Sequence, residues 1–72
     1  MKIKLTTIND VTDFTQEAQE FPTVLDVVSD VYRVRASSIM GLFSLNLSEP
    51  VMLEIPEEYK KLGEEKFKRW EV

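Results

Sequence analysis

This 72-residue chain contains no histidine and no cysteine, so catalysis would fall to carboxylates, lysines or serines. Nucleophilic and acid–base catalysis need such groups held together, one to attack and one to take the proton. The acidic pairs Glu17/Glu20, Glu57/Glu58 and Glu64/Glu65 read instead as solvated helix faces, the ordinary place of glutamate. Zinc, haem and iron–sulfur centres lack their usual ligands, so no metal and no cofactor is expected. Gly41 and Gly63 stand far apart, which leaves no glycine-rich loop to cradle a phosphate. The pattern points away from an enzyme.

One region departs from this. Ser37 and Ser38 precede Ile39-Met40-Gly41-Leu42-Phe43-Ser44-Leu45, and a serine ahead of an apolar run reads as the N-cap of a short helix. A short helix has one buried side, and five apolar residues in seven cover more than that. With Leu42 and Leu45 toward the core, Ile39, Met40 and Phe43 are left at least partly exposed. Clusters of that kind often mark partner sites, and methionine adapts to varied surfaces. The alternative is a helix well buried in a small core.

The elements that must position this stub follow from periodicity. Residues 2–8 alternate, as a half-buried strand does. Asn9 and Asp10 offer N-caps for a helix whose Val11, Phe14, Ala18 and Phe21 form one stripe, ended by Pro22. Thr23 to Ala36 reads as a hairpin turning near Ser29-Asp30-Val31, with Leu25 and Val27 on one face and Asp26 opposite Arg33 or Arg35 on the other. Asn46 is suited to the left-handed position that stops the short helix. Pro50 restarts an extended segment, Val51 to Ile55. Pro56 opens a last helix with Tyr59, Leu62, Phe67 and Trp70 on one side and Gly63 as an interruption. The order is β-α-β-β-α-β-α.

Length and composition allow one domain over residues 1–72, with a small core. Hydrophobic residues make up 43% of the chain, enough for a globular fold rather than disorder. The net charge of −4 and the interleaving of Lys66, Lys68 and Arg69 with glutamates exclude a basic nucleic-acid stripe. No apolar run approaches a membrane span, and Thr6, Thr7, Asn9 and Asp10 stand where a signal peptide would be greasy. A cytoplasmic protein that binds neither nucleic acid nor membrane is expected.

The run Ser37-Ser38-Ile39-Met40-Gly41-Leu42-Phe43-Ser44-Leu45 resembles the HPr phosphocarrier family of the bacterial sugar phosphotransferase system, which commonly carries Lys-Ser-Ile-Met-Gly-Val-Met-Ser-Leu there. The resemblance runs without gaps from about Val11 to Ile55. It includes Gln16-Glu17-Ala18-Gln19-Glu20-Phe21, the strand pair, and Leu45-Asn46-Leu47, where the family tends to have Leu-Gly-Leu. It implies an α+β, HPr-like open-faced sandwich, a four-stranded antiparallel sheet with three helices on one face, in the order βαββαβα.

Departures from the family shape the functional expectation. The family's phosphoryl acceptor is a histidine followed by x-Arg-Pro at the start of the first helix. Here a shorter loop runs through Asn9-Asp10 into that helix, and histidine, arginine and proline are all absent. Histidine phosphotransfer is therefore not expected; an acyl phosphate on Asp10 is the minor alternative to its capping role. Ser38 matches the serine that an ATP-dependent kinase phosphorylates in the Gram-positive branch, where the modified protein binds a catabolite-control repressor. A dianion at a helix N-cap faces unpaired backbone N–H groups and the positive end of the dipole. The competing reading is an unmodified capping serine, worth ~1 kcal/mol against alanine.

The catabolite-repression HPr paralogue likewise lacks the histidine and keeps the serine. The family's repressor contact also uses the active-loop arginine, which this chain lacks. The resemblance thus implies a regulatory, protein-binding module acting through Ile39, Met40 and Phe43 under control of Ser38. Its partner would be a phosphotransferase-system component, a serine kinase or a transcriptional repressor. The alternative is an HPr-fold scaffold or assembly subunit outside that system, with a homo-oligomer burying Met40 and Phe43.

Overall fold

The initial alternation yields only a two-residue strand, β1 (Lys2–Ile3), in the computed structural model, which describes residues 1–72. A capping box ends it early. Thr7 Oγ1 accepts the Asp10 N–H at 3.0 Å, while the Asp10 carboxylate accepts the N–H groups of Thr6 and Thr7 at 3.1 and 3.2 Å. These bonds satisfy donors that a helix start leaves free. The cap of α1 (Ile8–Gln19) is thus Thr7 rather than Asn9 or Asp10, and Asp10 supplies the reciprocal half of the box. The helix stops at Gln19, ahead of Pro22. Val11, Phe14 and Ala18 are buried along its stripe, and Phe21 is buried just past its end.

β2 (Asp26–Ser29) and β3 (Tyr32–Arg35) pair through a two-residue turn, Asp30-Val31. Asp30 closes it without glycine by taking φ 58°, a left-handed conformation that aspartate tolerates better than most residues. Asp26 faces Arg35 in the register and is ion-paired with both Arg33 and Arg35, at 3.1 and 3.3 Å. Arg33 also pairs with Glu54. Exposed pairs of this kind add little stability.

The chain continues through α2 (Ile39–Phe43), β4 (Val51–Glu54), a 3₁₀ turn at Glu57–Tyr59, α3 (Lys60–Lys66) and a second 3₁₀ turn at Lys68–Trp70. The strands form one antiparallel sheet in the order β1-β4-β2-β3, with the helices on one face. Ile3, Val27, Val51 and Leu53 point into the core, while Lys2, Asp26, Met52 and Glu54 alternate onto the open face. The C-terminal residues close the β1 edge. The Lys4 N–H donates to Trp70 O at 2.9 Å, the Val72 N–H donates to Lys2 O at 3.1 Å, and Ile3 bridges Glu71.

The segment after Pro56 departs from a single regular helix. Phe67 and Trp70 are buried and Tyr59 is half-buried, but Leu62 is exposed rather than on the buried side. Tyr59, Gly63, Phe67 and Trp70, at spacings of four, four and three, make the inward side, and Leu62 stands about 100° around the helix from Gly63. Gly63 does not interrupt α3. It is buried, and a Cβ there would lie 2.6 Å from Ile55 Cδ1 and 2.9 Å from Ile55 Cγ2. The glycine lets α3 lie close on the end of β4. Phe14 packs against Phe67 and edge-on against Trp70, with ring centroids 5.1 and 5.4 Å apart, in the middle of the core. No helix is long and apolar enough to cross a membrane.

Candidate functional site

α2 is five residues long, too short to persist by propensity, so its ends and its buried side must hold it. Ser38 is the N-cap, extended at φ −102°, ψ 108°, and its Oγ accepts the Gly41 N–H at 3.1 Å. Ser44 closes the other end, its hydroxyl donating to Gly41 O at 2.6 Å. The expected left-handed stop at Asn46 is not used, because Asp30 alone among non-glycine residues has positive φ. Asn46 instead accepts the Ser48 N–H and hydroxyl, a local turn that competes with the left-handed cap. Gly41 brings α2 down on β3, since a Cβ there would sit 3.1 Å from both Val34 Cβ and Ser38 Oγ.

That close seat decides which side chains face outward. Leu42 is fully buried and Leu45 nearly so. Ile39, Met40 and Phe43 are 40%, 81% and 49% exposed and form the outer face of the helix. All three sit where the count of apolar residues against one buried side expected them. Ser38 is half-buried beside them, with its hydroxyl already engaged in the cap.

The structure extends this surface to residues that periodicity did not single out. A groove of about 390 Å³ separates the end of α2 from the start of α1, lined by Leu5, Ile8, Val11, Phe43, Leu45 and Leu47 among others. Ile8 is 72% exposed at its rim. Periodicity gives no sign of this, because Ile8 stands three residues before Val11 and seven before the buried Thr15, in line with the buried stripe. The Lys4 ammonium closes one side of the groove by donating to Leu47 O at 3.2 Å.

The Asp10 carboxylate accepts the N–H groups of Thr6 and Thr7, and the Thr6 bond is the main cause holding its pKa below the ordinary 3.8, against the opposing effect of burial. Those bonds leave it serving the helix start. A larger concavity, about 590 Å³, lies around the end of β4, lined by Asp26, Glu54, Glu57, Lys60 and Glu64 among others. No group of three histidines, cysteines or carboxylates gathers where it would hold a metal ion.

No family model and no curated protein matches this chain. Among solved structures it is similar to the crystal structure of HPr-C-His from Thermoanaerobacter tengcongensis, with a TM-score of 0.65 and 25% identity. The likeness covers 94% of this chain and 93% of the other. Strand order, helix placement and this near end-to-end superposition together make the fold an HPr-like open-faced sandwich.

Proposed function

We propose that the chain is a non-catalytic, HPr-like regulatory module that docks a protein partner through Ile39, Met40 and Phe43. The observation that carries this reading is the outer face of α2, apolar and exposed over a firmly buried Leu42. With no histidine in the chain, histidine phosphotransfer has no acceptor. The one carboxylate at the start of α1 is bonded to backbone N–H groups, which argues against a replacement acceptor there. The partner is a phosphotransferase-system component, a serine kinase or a transcriptional repressor, and Ser38 is the control point. A phosphate on Ser38 adds a dianion at the edge of the apolar face, so it changes which partner fits without rebuilding the core.

Incubation with the ATP-dependent HPr serine kinase, followed by intact mass and fragment mapping, tests the switch. One added phosphate on Ser38 is expected, with none on Ser38→Ala. The phosphorylated protein is then expected to bind immobilised catabolite-control repressor better than the unmodified protein, and Met40→Glu is expected to abolish that binding. An unmodified Ser38 removes the switch, and equal binding by Met40→Glu removes the docking face. A stable homo-oligomer burying Met40 and Phe43, measured by light scattering, favours the scaffold reading instead.

A further inference from the structure

The chain has no cysteine, so its sulfur chemistry rests on three methionines in unequal surroundings. Met1 is half-buried against the core. Met52 lies on the open face of the sheet, 43% exposed, with Sδ accepting a hydrogen bond from the amino group of Met1 at 3.3 Å. That bond draws on the lone pair an oxidant would attack. Met40 is 81% exposed at the crest of α2, and no hydrogen bond is made to its sulfur. Leu42 and Leu45, not Met40, hold α2 to the core, so a chemical change at this thioether leaves the fold in place.

We propose that Met40 is a reversible oxidation site whose sulfoxide switches off the α2 docking face; the inference rests on the reading of that face given above. The oxidant is a hydroperoxide. A sulfur lone pair attacks the outer peroxide oxygen, the S–O bond forms and the O–O bond breaks. The proton moves to the departing oxygen, which leaves as water or an alcohol. Sulfur loses two electrons and the peroxide gains two. A dithiol-dependent methionine sulfoxide reductase runs the return, taking the oxygen as water while its thiols become a disulfide. The sulfoxide is polar and a strong hydrogen-bond acceptor. Set between Ile39 and Phe43, it must lose its water when a partner covers the face, and burying an unpaired polar group opposes docking.

The test treats the intact chain with graded hydrogen peroxide. Peptide mapping should show Met40 oxidised several-fold faster than Met52 or Met1. The singly oxidised protein should keep its thermal midpoint and elute earlier from a hydrophobic-interaction column, and the reductase should restore the original retention. Met40→Leu should fold normally and show no early shift at the same peroxide dose. Oxidation of Met52 or Met1 first, a fall in midpoint with the Met40 sulfoxide, or unchanged retention would each overturn the proposal. None of these readouts needs a partner, so they decide whether Met40 is the reversible oxidation site independently of the kinase and repressor experiments. The switch itself is read by repeating the repressor-binding measurement with the Met40 sulfoxide, where undiminished binding would overturn it.

Discussion

Gly63 shows how one missing methyl group fixes a helix. Alanine there would gain about 1 kcal/mol in helix propensity. Its Cβ would also press to 2.6 Å and 2.9 Å on two carbons of Ile55, and overpacking of this kind costs about 1–3 kcal/mol. The Ile55 Cγ2 cannot swing aside without rotating the whole side chain, so the clash should outweigh the gain. Gly63→Ala is expected to lower stability by ~1 kcal/mol in urea titrations, and Ile55→Val, which removes the nearer carbon, should recover part of it. The capping box at α1 gives a second, pH-dependent case. Because the folded state holds the Asp10 pKa below 3.8, its contribution is fully present above that value and is lost as pH falls through the lower folded pKa. Asp10→Asn should therefore flatten the acid limb of stability against pH below about 4, read by thermal melts across that range. A steeper acid limb in the variant would contradict the assignment.

At the scale of the element, α2 separates fold from function along its own circumference. Its inward residue is core and its outward residues carry little of the folding energy. Leu42→Ala should cost about 2–5 kcal/mol, a large share of the roughly 4–11 kcal/mol expected of a chain this size. Met40→Ala should stay within about 0.5 kcal/mol. Equal losses in chemical denaturation would mean that the outer face is structural. This division was legible in the sequence, because five apolar residues outnumber the buried side of one short helix. Other features were not. Asn46 is chemically fit for a left-handed stop, and only the nearby Ser48 bonds show why it is not used as one. Leu62 is the apolar residue, yet Gly63 beside it takes the inward position between Tyr59 and Phe67, a role that only the close approach of Ile55 reveals. The groove reaching Ile8 arises where α1 and α2 meet, which no local pattern encodes.

For the whole molecule, element order could be read from the sequence, but the closing of the sheet edge could not, because it joins residues from opposite ends of the chain. Trp70 lies at that junction, buried against Phe14 and Phe67, with the Arg69 guanidinium 4.2 Å over its ring. Arg69 and Lys66 also pair with Asp13 and Glu17 of α1, at 3.3 and 2.9 Å. As the single tryptophan, Trp70 reports directly on the core. Its fluorescence and the far-ultraviolet dichroism should therefore lose their native values in one coincident transition. Two separated transitions would show that the last segment detaches before the sheet melts. The same junction has a mechanical consequence. Residues 2–4 and 70–72 run side by side in opposite directions, so a force drawing the two ends apart loads the Val72–Lys2 bond first and the Lys4–Trp70 bond next. Under tension the domain should peel open bond by bond, like a zip, and yield at a lower force than a sheet of this size sheared along its strands.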